Sequence, residues 1–291
     1  MKDSILVVSI GRHTRLGDIL EIALEGIQFH IMEADKIETS DCRDSRVLFA
    51  ASADPAGENP QMRSLAARMI RGELRMDGAV CAAIADGEQG GTVRTDALKL
   101  LLAANSAGAE ILPRALLETD KDLRALAGAG RGQTSFDRYC CLAREMTQRL
   151  DSYRPVETGV EIQLELSLED GLAQDWKTAL QRLIKKSGVR GDSGKTDREI
   201  LLFTENTTGL PDGRALARPG RERGRLTCLI ASPAGGDLYP LALLDQVFAR
   251  TDCAIAPEGM CVFEGLSAAE VLAYKPEMER LKILLEQRFA G

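Results

Sequence analysis

Two polar segments of the sequence carry residue types that could bind the phosphate or the flat ring of a small molecule. The first is SIGRHTRLG, from Ser9 to Gly17, which follows an apolar run and leads into a helical pattern. Backbone N–H groups and the helix dipole at such a helix N-terminus favour anions. The side chains suited to a phosphate there are Ser9, Arg12, Thr14 and Arg15. A solvated loop that binds nothing is the alternative interpretation.

The second segment is ADGEQGGT, residues 85–92, which directly follows the apolar run GAVCAAIA. Glycine has no Cβ, so the backbone of such a segment can approach a flat ligand closely. In open α/β sheets, ligands bind at the carboxyl ends of the strands, where this segment is predicted to lie. An ordinary strand-to-helix turn explains the glycines equally well.

Apolar runs predict the strands and helices that position these segments. Strands are expected at 4–10, 27–33, 46–52, 78–85 and 109–113, and the continuous apolar run 4–10 is typical of a strand buried on both faces. Helical patterns separate them, and Asn59 before Pro60 is a predicted N-cap. A last helix is expected at about 136–151. This alternation predicts a doubly wound parallel α/β sheet.

The pattern restarts after Arg154-Pro155 and predicts a second, smaller α/β domain. Strands are expected at 160–168, 199–204 and 225–232. Ser267 with Glu270 forms a predicted capping box, and the last helix is expected at about 277–289. We therefore predict two domains, 1–154 and 155–291.

Two stretches of the two halves resemble each other. Residues 83–113 and 229–257 both contain an apolar strand, a Gly-Gly pair, an amphipathic helix and a short strand. The pair Gly90-Gly91 lies 22 residues before Pro113, and Gly235-Gly236 lies 21 before Pro257. A degenerate duplication explains the likeness, and so does chance similarity between two units of common length.

Composition excludes several classes of protein. The net charge of −7 argues against a nucleic-acid partner, which calls for a basic face. No apolar run reaches the length of a membrane span, so we expect no membrane partner. The seven cysteines follow no disulfide or metal-ligand spacing, which predicts a cytoplasmic protein without a metal site. A small-molecule ligand fits this composition, and a homo-oligomer is compatible with it.

The N-terminal half resembles the flavodoxin-like fold, and in particular the NADPH-dependent FMN reductase family. The matching stretch is DGAVCAAIADGEQGGTVRTDALKLLLAANSAGAEILP, residues 77–113. The resemblance implies FMN and NADPH as cofactors, with the flavin phosphate held by Ser9, Arg12 and Thr14. The residues that it places along the isoalloxazine ring are Gly87, Gln89, Gly90 and Gly91.

Two functions are consistent with this sequence. The resemblance implies an NAD(P)H-dependent FMN oxidoreductase, in which the flavin carries the hydride chemistry and no catalytic side chain is needed. The family's usual Pro-x-Tyr after the third strand is replaced by ADPAGENP, which has no aromatic residue to stack on a flavin. The alternative is therefore a non-catalytic binding or assembly protein that kept the fold and lost the flavin.

One long loop remains. Residues 205–224 are rich in arginine, glycine and proline, and are either a mobile surface loop or a lid that brings cations to an anion. If the halves pack face to face, the loops 86–91 and 232–237 would border one cleft.

Overall fold

A computed structural model gives the fold of this chain. It describes residues 2–11, 14–52, 59–88, 94–120, 124–125, 132–133, 135–155, 161–168, 170–186, 198–205, 224–233, 235 and 238–289.

Strands and helices alternate along the first half of the chain. The elements are β1 (Ile5–Ile10), α1 (Arg15–Ala23), β2 (Phe29–Glu33), α2 (Thr39–Cys42), β3 (Arg46–Ser52), α3 (Pro60–Ile70), β4 (Val80–Gly87), α4 (Arg94–Ser106), β5 (Glu110–Asp120), β6 (Arg124–Ala125), β7 (Gly132–Gln133) and α5 (Phe136–Ser152). The predicted α/β alternation of this half is confirmed.

The second half continues with strands and helices. Its elements are β8 (Glu161–Ser167), α6 (Asp170–Lys186), β9 (Arg198–Glu205), β10 (Gly224–Ser232), α7 (Leu238–Arg250), β11 (Cys253–Glu264), α8 (Ala268–Ala273) and α9 (Lys275–Phe289). The predicted capping box is confirmed, because Ser267 and Glu270 each bond the other's backbone N–H at the start of α8.

The strands form one large, mostly parallel sheet with the order β2-β1-β3-β4-β5-β11-β10-β9-β8. Strands β1 to β5 pair in parallel, as do β8 to β10. The order 2-1-3-4-5 at the start is the one found in flavodoxin-like sheets. The α/β fold with a parallel sheet is thus confirmed, and it is broadly compatible with the flavodoxin-like fold.

The chain divides into two compact units. The first contains Met1–Arg154, Val247–Ala249 and Ala254–Glu258, and the second contains the remaining residues of 155–291. Strand β11 therefore contributes Ala254–Glu258 to the first unit and its other residues to the second. Whether the units are independent domains with the bounds 1–154 and 155–291 stays a prediction.

The central strands of the first unit are buried on both faces, as the continuous apolar runs predict. Residues Ile5 to Val8 of β1 and Val47 to Ala50 of β3 are 0 % exposed. A run of this kind is stable only when helices cover both faces of its sheet. The sheet is therefore a rigid support for the polar residues at the carboxyl ends of its strands.

The second unit has an aromatic core of its own. Trp176 of α6 stacks on Phe203 of β9 with ring centroids 4.1 Å apart. The indole N–H of Trp176 donates to the carbonyl oxygen of Ala268 at 3.0 Å, so the buried polar atom is satisfied. Leucines of α6 and α9 pack around this pair.

Two strands extend past the prolines at which the sequence predicts their ends. Strand β5 continues to Asp120, and β11 continues past Pro257 to Glu264. In β5 the register with β4 shifts from Cys81↔Ile111 to Ala83↔Leu116, and this bulge contains Pro113. Proline has no N–H to give to the ladder, so a bulge is where a strand tolerates it.

Candidate functional site

The N-terminus of α1 is bound by a carboxylate of the chain itself. The hydroxyl of Thr14 donates to Oε2 of Glu88 at 2.7 Å, and the backbone N–H of Arg15 donates to the same oxygen at 3.1 Å. These are the kinds of donor that bind anions at helix N-termini. The hydroxyl of Thr14 lowers the pKa of Glu88, and the N–H and charge of Arg15 add to this against the effect of burial. Glu88 is therefore ionised at neutral pH.

The side chain of Arg15 forms a buried ion pair with Asp86, the residue two positions before Glu88. Its Nε lies 3.0 Å from Oδ2 of Asp86, and its Nη2 bonds Oδ1. The side chain of Asp86 is 1 % exposed and that of Arg15 is 14 % exposed. Burial acts to lower the pKa of Arg15, but the hydrogen bond and charge of Asp86 raise it. Arg15 is therefore charged in the folded protein.

A second ion pair lies one strand further along the sheet. Nη1 of Arg94, the first residue of α4, is 3.3 Å from Oε2 of Glu118 in β5. The side chain of Glu118 is fully buried. Strand register brings the two pairs together, because Asp86 and Glu118 lie on neighbouring parallel strands one residue apart.

Tyr139, on helix α5, lies close enough to these ion pairs for their charges to act on its hydroxyl. Its side chain is fully buried on α5, which packs against β3, β4 and β5. No described residue hydrogen-bonds its hydroxyl. Burial raises the pKa of Tyr139 well above its usual value, and the charges of Asp86 and Glu118 add to this while Arg15 opposes it. We call Arg15, Asp86, Arg94, Glu118 and Tyr139 the strand-end cluster.

The loop after β1 is fixed against the end of β3. The N–H of Gly11 donates to Oε1 of Gln61 at 2.6 Å, and Nδ2 of Asn59 donates to the carbonyl oxygen of Ser52 at 2.6 Å. Asn59 also caps α3 by accepting the N–H of Met62 at 2.9 Å, which confirms the predicted N-cap. Gly11 has a φ of +90°, and a Cβ there would lie 2.9 Å from Oγ of Ser52.

The predicted site residues are only partly described. Ser9 is partly buried inside β1, and its carbonyl oxygen accepts the N–H of Ala34 at 3.1 Å. Thr14 binds Glu88, and Gly87 is the buried last residue of β4. The residues Arg12, Gln89, Gly90 and Gly91 lie outside the described residues.

Sequence reasoning missed most of the strand-end cluster. Asp86 and Glu118 are charges at the ends of apolar runs, AIAD and ALLE, and such charges need partners when buried. An acidic residue at the end of an apolar run was therefore a signal that could have identified both Asp86 and Glu118. Glu118 was missed because the predicted β5 ended at Pro113, five residues before Glu118, whereas the strand continues to Asp120.

The remaining predictions concern a lid, a shared cleft, a metal site and a membrane span. Nearly all of the loop 205–224, and Asp237 with Gly236, lie outside the described residues, so the predicted lid and shared cleft stay predictions. In the described part of the chain, no group of three or more histidine, cysteine, aspartate or glutamate side chains is placed to hold a metal ion. No helix within that part is long and apolar enough to cross a membrane.

In comparisons with models of protein families, with curated proteins and with solved structures, no match to this chain was found.

Proposed function

We propose that this chain is a non-catalytic, flavodoxin-like binding protein in which the chain's own Glu88 takes the place of a flavin phosphate. The contact of Glu88 with Thr14 and Arg15 is the observation that carries this proposal. A phosphate at the same helix N-terminus would have to displace that carboxylate or accept its repulsion.

The ion pair of Arg15 supports the same conclusion. Its guanidinium is engaged by the buried Asp86 and would have to leave it to reach a phosphate. Removing one partner from a buried ion pair strands the other charge, at a cost of about 3–5 kcal/mol. The hydroxyl of Thr14 and the guanidinium of Arg15 therefore both have partners within the chain.

We further infer that the second unit is a degenerate copy of the first. Three consecutive elements recur about 144 residues apart, since β4, α4 and β5 begin at 80, 94 and 110 while β10, α7 and β11 begin at 224, 238 and 253. The strand orders also correspond, as 1-3-4-5 in the first unit and 8-9-10-11 in the second. On this inference, the described part of the second unit contains no counterpart of β2.

A backbone detail supports the duplication. In both β5 and β11 a proline precedes a non-glycine residue with positive φ, which is 52° at Arg114 and 51° at Glu258. Such conformations are uncommon for residues other than glycine. The bridge between β5 and β11 joins Ile111 to Ile255, which is again 144 positions later. The same uncommon feature at matching positions favours common origin over chance.

The second candidate is an NAD(P)H-dependent FMN reductase. It is favoured by Gly87, which ends β4 where the resemblance implies contact with the isoalloxazine ring. Under either function we propose a small-molecule ligand and a cytoplasmic location, because all seven cysteines lie in described residues and none is in a disulfide.

Titration with FMN separates the two candidates. We expect the wild-type protein to show no binding of micromolar FMN by fluorescence quenching and no FMN-dependent oxidation of NADH or NADPH. Glu88→Ala should gain FMN affinity by about tenfold or more, since it frees the donors of Thr14 and Arg15. Glu270→Ala is the matched control, because it removes a similar carboxylate from the N-terminus of α8. Micromolar FMN binding by the wild type, with hydride transfer, would establish the reductase instead.

A further inference from the structure

The strand-end cluster contains a hydroxyl group that the described fold does not use. The phenol of Tyr139 is fully buried, and no described residue hydrogen-bonds it. A buried polar group without a partner costs about 1–3 kcal/mol. Phenylalanine would fill the same space without that cost, so the hydroxyl points to a partner outside the described chain.

The charged groups that act on this hydroxyl are Asp86, Glu118 and Arg15, and each of the two carboxylates pairs with an arginine. Arg15 pairs with Asp86, and Arg94 pairs with Glu118. A charged ligand group placed among them would need a counterion of its own, and desolvating it would be costly. The group that suits the phenol is therefore a neutral hydrogen-bond acceptor, such as the carbonyl oxygen of a ring. The raised pKa of Tyr139, caused mainly by burial, keeps the phenol protonated as a donor.

Glu88 restricts the chemical groups that the rest of such a ligand can have. Its carboxylate is joined to the cluster through Arg15, whose N–H binds Glu88 while its guanidinium binds Asp86. A phosphate near this carboxylate would be repelled, whereas hydroxyl groups would be accepted as donors.

The second unit indicates that the fold does not require these charges. At the positions 144 residues after Asp86 and Glu118, β10 and β11 have Ile230 and Val262. Ile230 is fully buried near the carboxyl end of β10, whereas the buried ion pair of Arg225 with Glu199 lies at the amino ends of β10 and β9. Buried ion pairs can often be replaced by apolar residues with little loss of stability, so their presence in the first unit favours a binding role.

We propose that the strand-end cluster binds a neutral, carbonyl-bearing heterocycle without a phosphate group, and that the hydroxyl of Tyr139 donates to the ring carbonyl. This inference rests on the proposed function, since it assigns a ligand class to the same site. Nucleosides and dephosphorylated flavins share this chemistry.

Two matched pairs of ligands test the proposal by titration calorimetry on the full chain: riboflavin with FMN, and uridine with UMP. We expect riboflavin or uridine to bind at least tenfold more tightly than its phosphate ester. Whether the flavin pair or the nucleoside pair shows this difference identifies the class of heterocycle that binds. Glu88→Ala should reduce the difference in affinity between each neutral compound and its phosphate ester, because it removes the repelling carboxylate. Tyr139→Phe should lower the affinity for the neutral ligand by about tenfold. Tyr274→Phe, which alters an exposed tyrosine, should leave that affinity unchanged.

The outcomes separate this inference from the proposed function. If none of the four compounds binds at millimolar concentration, the ligand class is wrong and the proposed function stands. Binding of the neutral ligand that is equal in wild type and a folded Tyr139→Phe also overturns this inference alone. If FMN binds as tightly as riboflavin or more so, both are overturned. The comparison of ligands on the wild type needs no variant to fold.

Discussion

Tyr139 and Tyr239 are two buried tyrosines whose hydroxyls differ in one respect. The hydroxyl of Tyr239 lies 2.7 Å from that of Thr204 in the second unit, whereas no described residue bonds the hydroxyl of Tyr139. A buried hydroxyl stabilises a fold only when it is paired. The pair of residues therefore distinguishes a hydroxyl that the fold uses from one that it does not.

We expect Tyr139→Phe to leave the free energy of unfolding unchanged or to raise it by up to about 1 kcal/mol, because an unpaired buried oxygen is removed. Tyr239→Phe should lower it by about 1 kcal/mol, because the oxygen of Thr204 loses a partner. Urea unfolding followed by circular dichroism measures both. A loss of stability in Tyr139→Phe as large as that in Tyr239→Phe would contradict this prediction.

The carboxylate of Glu88 gives a second prediction at this scale, which concerns pH. Its pKa is lowered in the folded protein, chiefly by the hydroxyl of Thr14, so its contribution to stability is present above its ordinary pKa of about 4.5. That contribution is lost as the pH falls through the lower folded value. The difference in unfolding free energy between wild type and Glu88→Gln should therefore be constant from pH 7 to 5 and shrink below about 4.5.

Urea unfolding at each pH measures this difference. Glu73→Gln is a suitable control, since Glu73 is exposed and pairs with Arg71 away from any strand end. A difference that grows on acidification would contradict the assignment of the α1 contact to the ionised carboxylate.

At the scale of the elements, the loop before α1 and α1 itself contain two glycines, Gly11 and Gly17, with different structural roles. Gly11 has positive φ and lies close to Ser52 and Asn59. Gly17 is inside α1, and a Cβ there would contact nothing within 4 Å. The first glycine is required by the tight approach of the loop to β3, and the second is a weak point of its helix.

We expect Gly11→Ala to lower the free energy of unfolding by about 1–3 kcal/mol, because alanine is strained at positive φ and its Cβ would overlap Oγ of Ser52. Gly17→Ala should raise it by about 0.5–1 kcal/mol through helix propensity. Thermal unfolding of the two variants measures opposite shifts of the midpoint. Equal shifts of the same sign would show that the loop is not held against β3.

At the scale of the whole molecule, strand β11, like α7, contributes residues to both compact units. Its first half joins the first unit through the bridge of Ile255 with Ile111. Asn105, fully buried at the end of α4, donates to the carbonyl oxygens of Ala109 at 2.9 Å and Ala256 at 2.7 Å. A residue of the first unit thus fixes a strand that enters 151 positions later in the chain.

We expect Asn105→Ala to lower the free energy of unfolding by about 2 kcal/mol, because two buried carbonyl oxygens lose a donor. Ser106→Ala is the control, since that exposed hydroxyl bonds only Leu102 of its own helix among the described contacts. Hydrogen exchange should show faster exchange of β11 amides in Asn105→Ala alone. Unchanged exchange there would mean that Asn105 does not hold the strand.

Local sequence was sufficient for several of the strands and for two of the helix caps. Continuous apolar runs predicted β1, β3 and β4, and short-range spacing predicted the N-cap at Asn59 and the capping box at Ser267. These features depend on residues within a few positions of one another, so the sequence contains all the information that they need. The parallel α/β sheet followed from their alternation.

Only the tertiary structure decided what the polar residues do. The sequence predicted Thr14 and Arg15 as phosphate ligands, but the partners that engage them are Glu88 and Asp86, 74 and 71 positions away. Strand order and register bring those partners together, and no local pattern encodes either. The same holds for β5, whose pairing with β4 continues beyond Pro113 because a bulge removes the need for the missing N–H. Glu118 enters the strand-end cluster for that reason.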